Sequence, residues 1–452
     1  MRIADLAGRR VAVWGYGREG RAALAALHAR LPDLPVTVFC SQAEALDVRS
    51  AKATADTSPP DGAALSAFDV VVKSPGISAY RPEIFEAQHN GTLFTSGTAL
   101  WFAERPDART IAVTGTKGKS TVTALIAHGL RGLGRRTALA GNIGVPLLEL
   151  LDPPRAAEWW AIELSSFQTR AAPRVDVGVV VNLYEEHLDW HGTRERYAAD
   201  KLALAGASSS LVVNALQPEL VARTAAHAKR AVFGDAGAWH VRDGAIFRAD
   251  ARVVDLAGLP LRGPHNALNV CAALAAIEAA GEDAIAAAAH LATFRPLPHR
   301  LQRLGERDGL AWFDDSIATT PQATLEALAS LAGERVTVLV GGHERGLDWR
   351  AFGESVRDAP PHAIVTMGAN GARIAAVLRE TPGTYRLEAA ATLSDAVAIA
   401  RRVTPRGGVV LLSPGAPSFD QFRDYAERGA AFAALAGFDP AAIGTIAGLG
   451  IA

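Results

Sequence analysis

The stretch Ala112-Val-Thr-Gly-Thr-Lys-Gly-Lys-Ser-Thr121 decides how this chain is built. A short apolar strand, residues 110 to 113, leads into Gly115, Thr116, Lys117 and Gly118, then Lys119, Ser120 and Thr121, with a helical pattern through Leu130 behind it. Glycines let backbone N–H groups converge on an anion, and the start of the next helix adds the positive end of its dipole. A lysine at that place reaches terminal phosphates, and the hydroxyl beside it suits Mg2+. The stretch predicts a loop that holds a nucleoside triphosphate. Its spacing is a variant one, since Val113 stands where such loops usually open on a glycine. An ordinary surface turn rich in lysine and glycine is the bland alternative, which the coincidence of strand, spaced glycines and helix disfavours.

On both sides of the loop, short apolar strands alternate with helical patterns, which predicts an α/β protein with parallel sheets. The 452 residues suggest about three domains. The expected division is 1–103, a Rossmann-like domain; 104–297, a central ATPase-type domain with the phosphate loop; and 298–452, a second Rossmann-like domain. The first segment opens with Arg10-Val-Ala-Val-Trp14 into Gly15-Tyr-Gly17-Arg-Glu-Gly20 and a helix from Arg21 to about residue 29. That run fits the dinucleotide fingerprint, so an NAD-dependent oxidoreductase is the rival reading. The fingerprint also wants an acidic residue ending the second strand, to hold the ribose diol. Here Val36-Thr-Val-Phe39 ends in Cys40-Ser41, which favours a glycine turn approaching some other nucleotide diphosphate, or a turn with no ligand. Lys73-Ser74-Pro75-Gly76-Ile77-Ser78 follows the next strand and belongs to the same carboxyl-end crevice.

In the middle segment, polar residues collect where strands end. Trp159 to Ile162 delivers Glu163 and then Ser165 and Ser166, while residues 177 to 183 deliver Glu185, Glu186 and His187. A carboxylate and an imidazole at neighbouring strand tips suit a divalent ion shared with phosphates. Strands are expected again at 336–340, 364–367 and 408–412.

Composition narrows the class. With 49% hydrophobic and 21% charged residues the chain can bury real cores, and a net charge of -1 argues against nucleic acid as a partner. Cys40 and Cys271 are the only cysteines, too few for a disulfide framework and without metal-ligand spacing. Residues 1 to 10 lack an apolar signal core, and the alanine-rich run near 271–292 is broken by Glu278, Glu282, Asp283 and His290. A cytoplasmic enzyme that contacts no membrane is expected, and a monomer.

Taken together, the motifs resemble the Mur ligases of peptidoglycan synthesis, and among them the glutamate-adding branch. The resemblance covers essentially the whole chain. It rests on Gly115 to Thr121, Gly141-Asn-Ile-Gly144, Glu163-Leu-Ser-Ser-Phe-Gln168, Glu186-His-Leu-Asp189, Lys201, His265-Asn266 with Asn269, Pro298-His-Arg300, Asp314-Asp-Ser316, Gly341-Gly342, Ser413-Pro414 and Ser418-Phe-Asp-Gln421. It implies a ligase that moves the γ-phosphoryl of ATP onto the carboxylate of UDP-N-acetylmuramoyl-L-alanine, the acyl phosphate then being attacked by the amine of glutamate. Lys119 and the loop would hold phosphates, Ser120 and Glu163 one Mg2+, and His187 with a carbamylated Lys201 a second. Asn266, Asn269, Arg300 and Asp315 would contact adenine and ribose. Gly17, Arg18, Cys40, Ser41, Ser74 and Gly76 would bind the uridine diphosphate sugar, with Asn142 and Ser165 on the muramoyl side. Taken alone, Lys201 reads as a solvated helix lysine and His187 as a loop histidine.

The last domain would bind the amino acid through Thr319, Arg345, Ser418, Phe419 and Tyr425, and here the chain departs from the usual D-glutamate pattern. Asp315-Ser-Ile-Ala-Thr-Thr-Pro321 has Ile317 where a lysine is typical, Pro417 stiffens the strand-end loop, and Tyr425 replaces a common Phe. Arg345 offers a bidentate grip on a side-chain carboxylate. Residues 437–443 and 447–450 also match the L-glutamate-adding variant, whose product an epimerase later inverts. D-glutamate addition is the alternative, with these substitutions neutral; a nucleotide-binding switch without turnover is a further one.

Overall fold

In the computed structural model, residues 1–184, 188–444 and 446–451 are described. The described residues form an α/β protein with three sheets. By contact, residues 1–260, 265–294 and the tail from Gly448 make one compact unit, and residues 261–264 with 295–447 make another.

In the first unit, β1 (Val11–Trp14), β2 (Val36–Phe39), β3 (Thr54–Asp56), β4 (Val70–Lys73) and β5 (Leu93–Thr95) form a parallel sheet in the order β3-β2-β1-β4-β5. The order reverses beside β1, which opens a crevice past the carboxyl ends of β1 and β4. All four residues of β1 are buried, as an apolar run covered by helices on both faces requires.

The second sheet is built from β6 (Thr110–Thr114), β7 (Thr137–Gly141), β8 (Trp159–Glu163), β9 (Val175–Val180), β10 (Ser208–Asn214), β11 (Arg230–Phe233), β12 (Trp239–Arg242), β13 (Ala245–Arg248) and β14 (Ala251–Asp255). Its core runs β10-β9-β6-β8-β7, all parallel, with β6 in the middle. Trp101, on the helix Gly97–Glu104, packs edge-on against Trp160 of β8 with ring centroids 4.7 Å apart, so the first and second sheets share a core.

In the second unit, β15 (Gln302–Arg307), β16 (Leu310–Asp314), β17 (Val336–Val340), β18 (Ala363–Thr366), β19 (Arg386–Ala389) and β20 (Val409–Leu412) take the order β15-β16-β20-β17-β18-β19. A last short strand, β21 (Gly450–Ile451), returns to the first unit and pairs antiparallel with β7.

Besides the pairing of β21 with β7, the parallel-sheet expectation omits two hairpin features among the described residues. β12, β13 and β14 form a meander, and β15 pairs antiparallel with β16. The turns Asp243-Gly244 and Asp308-Gly309 make these hairpins, with φ of 47° at Asp243 and 57° at Asp308. Asp-Gly supplies positive φ at both central residues of the turn whose twist matches paired strands.

Candidate active site

Strand register brings the motifs of the first unit to one edge. β6 pairs Val113 with Glu163 of β8 and Thr114 with Val180 of β9, while Gly141 of β7 pairs with Glu163. The phosphate loop, Glu163 and the end of β9 therefore emerge side by side. The helix Lys119–Gly132 starts straight from the loop, with Gly118 at its cap in the left-handed region (φ 80°). A Cβ on Gly118 would lie 2.5 Å from Asn269 Oδ1, so the loop is packed against the helix Pro264–Ala279. We expect Gly118→Ala to cost about 1–2 kcal/mol of stability from the left-handed backbone alone. A thermal melt compared with wild type checks this.

The loop is anchored by residues that the sequence motif does not contain. Asn182 Oδ1 accepts hydrogen bonds from the N–H groups of Thr116 and Lys117, both at 2.9 Å, and Asn182 Nδ2 donates to the Lys117 carbonyl at 3.1 Å. The hydroxyls of Thr116 and Tyr197 lie 2.7 Å apart. Lys119 Nζ donates to the Thr116 carbonyl at 2.8 Å. Ser120 and Thr121 are buried in the first turn of the helix. The sequence signal of Asn182 is a polar residue just past the apolar run of β9, which ends at Val180, earlier than the expected 183.

Lys201 is brought to the same loop from the helix Arg194–Ala207. It is 2% exposed, donates from Nζ to the Gly115 carbonyl at 2.6 Å, and lies 4.8 Å from the centre of the Tyr197 ring. A solvated helix lysine would not be so placed. Glu163 is 1% exposed; its Oε1 accepts from Asn142 Nδ2 at 2.8 Å, while Oε2 is buried with no hydrogen-bond partner among the described residues. A buried carboxylate oxygen without a donor suits a cation. Among the described residues no group of three or more His, Cys, Asp or Glu forms a metal cluster. His187, with Glu185 and Glu186, lies outside the described residues.

Asn269 Nδ2 donates to Asn266 Oδ1 at 3.1 Å on the helix beside the loop, and burial pushes the His265 imidazole down. In the first sheet, Gly15, Cys40 and Ser74 follow β1, β2 and β4, and Gly17 and Arg18 open the helix Arg18–Arg30. A Cβ on Gly20 would lie 1.9 Å from the Gly15 carbonyl oxygen, so the third fingerprint glycine permits close helix-to-turn packing. Ser74 Oγ donates to that carbonyl at 3.0 Å, bridging the crevice. Gly76 lies in open space. Ser41 is held by Glu44, and Ser165 Oγ donates to Gln168 Oε1 at 2.8 Å. Lys73 Nζ donates to the Ile77 carbonyl at 2.6 Å, and burial pushes its ammonium down to about 8.

In the second unit, Asp315 follows β16, residues 413–419 follow β20, and residues 341–345 follow β17. Asp315 accepts from Ser413 Oγ at 2.7 Å and Leu301 N at 3.0 Å, and burial pushes its carboxyl up to about 7. Buried Arg428 donates to the carbonyls of Ser316, Ala416 and Pro417 at 2.8, 3.0 and 3.1 Å, tying two strand-end loops together. Ser316 Oγ donates to the Tyr425 carbonyl at 2.8 Å. Ser418 is buried and Thr319 half-buried, whereas Arg345 and Phe419 are exposed and Tyr425 is 38% exposed. Arg300 is half-buried beside His299, whose Nδ1 lies 2.7 Å from Asp314 Oδ2.

Residues 113–277 match the Mur ligase middle domain, and residues 299–415 match the Mur ligase glutamate ligase domain. The chain is 50% identical over 467 residues to the UDP-N-acetylmuramoyl-L-alanine--L-glutamate ligase of Xanthomonas axonopodis pv. citri, covering 100% of both. The chain belongs to the Mur ligase family. This Mur ligase is also 41% identical over 453 residues to the enzyme of the same name from a Micromonospora species, across 96% of this chain and 97% of that one. Its fold is similar to that of UDP-N-acetylmuramate-alanine ligase MurC from Thermotoga maritima, with a TM-score of 0.63 at 17% identity over 94% of this chain and 98% of the other. MurF ligase from the same organism, solved in complex with ADP, aligns with a TM-score of 0.57 at 18% identity, covering 81% and 93%. Mur ligases are ATP-dependent enzymes of peptidoglycan synthesis, and this one is such a ligase. No helix among the described residues is long and apolar enough to cross a membrane.

Proposed function

We propose that the enzyme uses ATP to join L-glutamate to UDP-N-acetylmuramoyl-L-alanine through an acyl phosphate. Full-length identity of 50% to the L-glutamate-adding ligase is the observation that carries this reading. The three expected domains, 1–103, 104–297 and 298–452, would serve the sugar nucleotide, ATP and the amino acid in turn. The crevice beside β1 and β4 supports a uridine diphosphate site at Gly17, Arg18, Cys40, Ser41, Ser74 and Gly76, with Asn142 and Ser165 toward the muramoyl group.

Phosphoryl transfer needs positioning and charge neutralisation more than covalent chemistry from the protein. Lys119 and the amides of Gly115 to Thr121 would hold the triphosphate, and Asn266, Asn269, Arg300 and Asp315 its nucleoside. The Glu163 oxygen that meets no donor among the described residues supports Mg2+ held with Ser120, and Lys201, buried against the loop, supports a second ion held with His187, with Lys201 carbamylated. Mg2+ supplies charge neutralisation on the phosphate oxygens when bound. Thr319, Arg345, Ser418, Phe419 and Tyr425 would hold glutamate. An epimerase would then act on the product, and the working form would be a cytoplasmic monomer.

The handedness at Cα decides where the side-chain carboxylate points once amine and α-carboxylate are anchored. Ile317 and Pro417 sit on the two loops that Arg428 ties together, which supports a relocated clamp. The expected result is phosphate release with L-glutamate and little with D-glutamate when ATP, Mg2+ and the acceptor are supplied with each pure enantiomer. Turnover with D-glutamate alone would reverse the assignment.

A further inference from the structure

A second buried polar cluster stands directly beside Lys201. Asp200, 2% exposed, accepts from the Tyr80 hydroxyl at 2.9 Å on both carboxylate oxygens and from Arg170 Nε. His191 Nδ1 lies 2.7 Å from Asp200 Oδ2, and His191 Nε2 lies 3.0 Å from Ser166 Oγ. Trp190 donates its indole N–H to the Pro75 carbonyl at 3.0 Å, and the Trp190 carbonyl accepts from Ser78 Oγ at 2.5 Å. Phe167 stacks on the Trp190 ring at 4.5 Å.

Each partner belongs to a different part of the site. Pro75, Ser78 and Tyr80 follow β4, in the segment that carries Ser74 and Gly76. Ser166 and Phe167 follow β8, which ends in Glu163. Asp200 precedes Lys201 on its helix. The Ser166–His191–Asp200 chain has the residue types of an acyl-transfer relay, but Ser166 is 4% exposed and His191 fully buried, so no substrate reaches the hydroxyl. A buried carboxylate held by several donors fixes the elements that supply them, because losing one donor leaves an unmet acceptor.

We propose that Asp200, with Tyr80 and His191, is a positioning residue that locks the loop carrying Ser74 and Gly76 to the helix carrying Lys201, so that acceptor binding and Lys201 placement are coupled. The proposal rests on the ligase reading above. Full-length Tyr80→Phe should raise KM for the UDP-sugar acceptor about tenfold, as expected for a lost hydrogen bond to a charged group, with KM for ATP changed less than about twofold. Asp200→Asn should lower kcat as well, and the double variant should be no worse than Asp200→Asn alone. Calorimetric titration with UDP, which needs no turnover, should show Tyr80→Phe binding about tenfold more weakly. A folded Tyr80→Phe enzyme with unchanged acceptor KM and UDP affinity, or with acceptor and ATP KM raised equally, would overturn the coupling. If Asp200→Asn fails to fold, Tyr80→Phe still decides. Wild-type enzyme that binds UDP but forms no ADP with acceptor and glutamate would sink the ligase reading instead, leaving the UDP titration to judge the tether.

Discussion

Lys119→Ala will reduce ADP formation on the order of a thousandfold, the scale seen when one preorganised charge is removed from a phosphoryl-transfer or oxyanion site. Lys119 opens the helix that follows the loop, and its Nζ reaches back to the Thr116 carbonyl at 2.8 Å. The ammonium thus already lies over the loop whose N–H groups would face the phosphates. Alanine is a good helix former at that position, so the fold should survive. A coupled assay for ADP, paired with a thermal melt, separates the two effects. Activity within tenfold of wild type, in protein that melts normally, would contradict the phosphate assignment.

Lys201→Ala should be equally severe, for a different reason. Lys201 is buried against the loop, with Nζ 2.6 Å from the Gly115 carbonyl. Truncation removes the group proposed to carry a carbamate, and leaves space that a small molecule fits. We expect loss of ligation on the order of a thousandfold and partial return on adding a short carboxylate such as formate or acetate. Buried Lys201 also packs near Tyr197, so a melt must accompany the assay. A folded variant with no recovery at any carboxylate concentration would remove the support for the carbamate.

Much of the site was legible because short motifs encode local backbone. Gly118 has to adopt positive φ at the head of a helix, and that requirement is visible in a Gly-Lys-Ser-Thr run after an apolar strand. Glu163 was legible for a related reason, as a carboxylate ending a buried strand. The hairpins at Asp243-Gly244 and Asp308-Gly309 were equally legible in principle. The alternating strand and helix pattern around them masks the Asp-Gly signal, because it points to parallel strands joined by helices.

The roles of Asn182, Asp200 and Arg428 depend on contacts distant in sequence. Asn182 meets Thr116 and Lys117 only because β9 pairs directly with β6. Arg428 looks like one more charged residue on a helix, yet it is 1% exposed and tied to three carbonyls from two loops.

By itself the sequence determined the α/β class, the phosphate loop and the polar residues at strand ends, since each depends on neighbours within a few positions. Only the tertiary structure decided that Lys201 reaches Gly115, that Asp200 gathers Tyr80 and His191, and that the chain's tail pairs with β7. Those contacts depend on sheet order and on how each helix is rotated as it packs. Neither quantity is expressed in the spacing of residues along the chain.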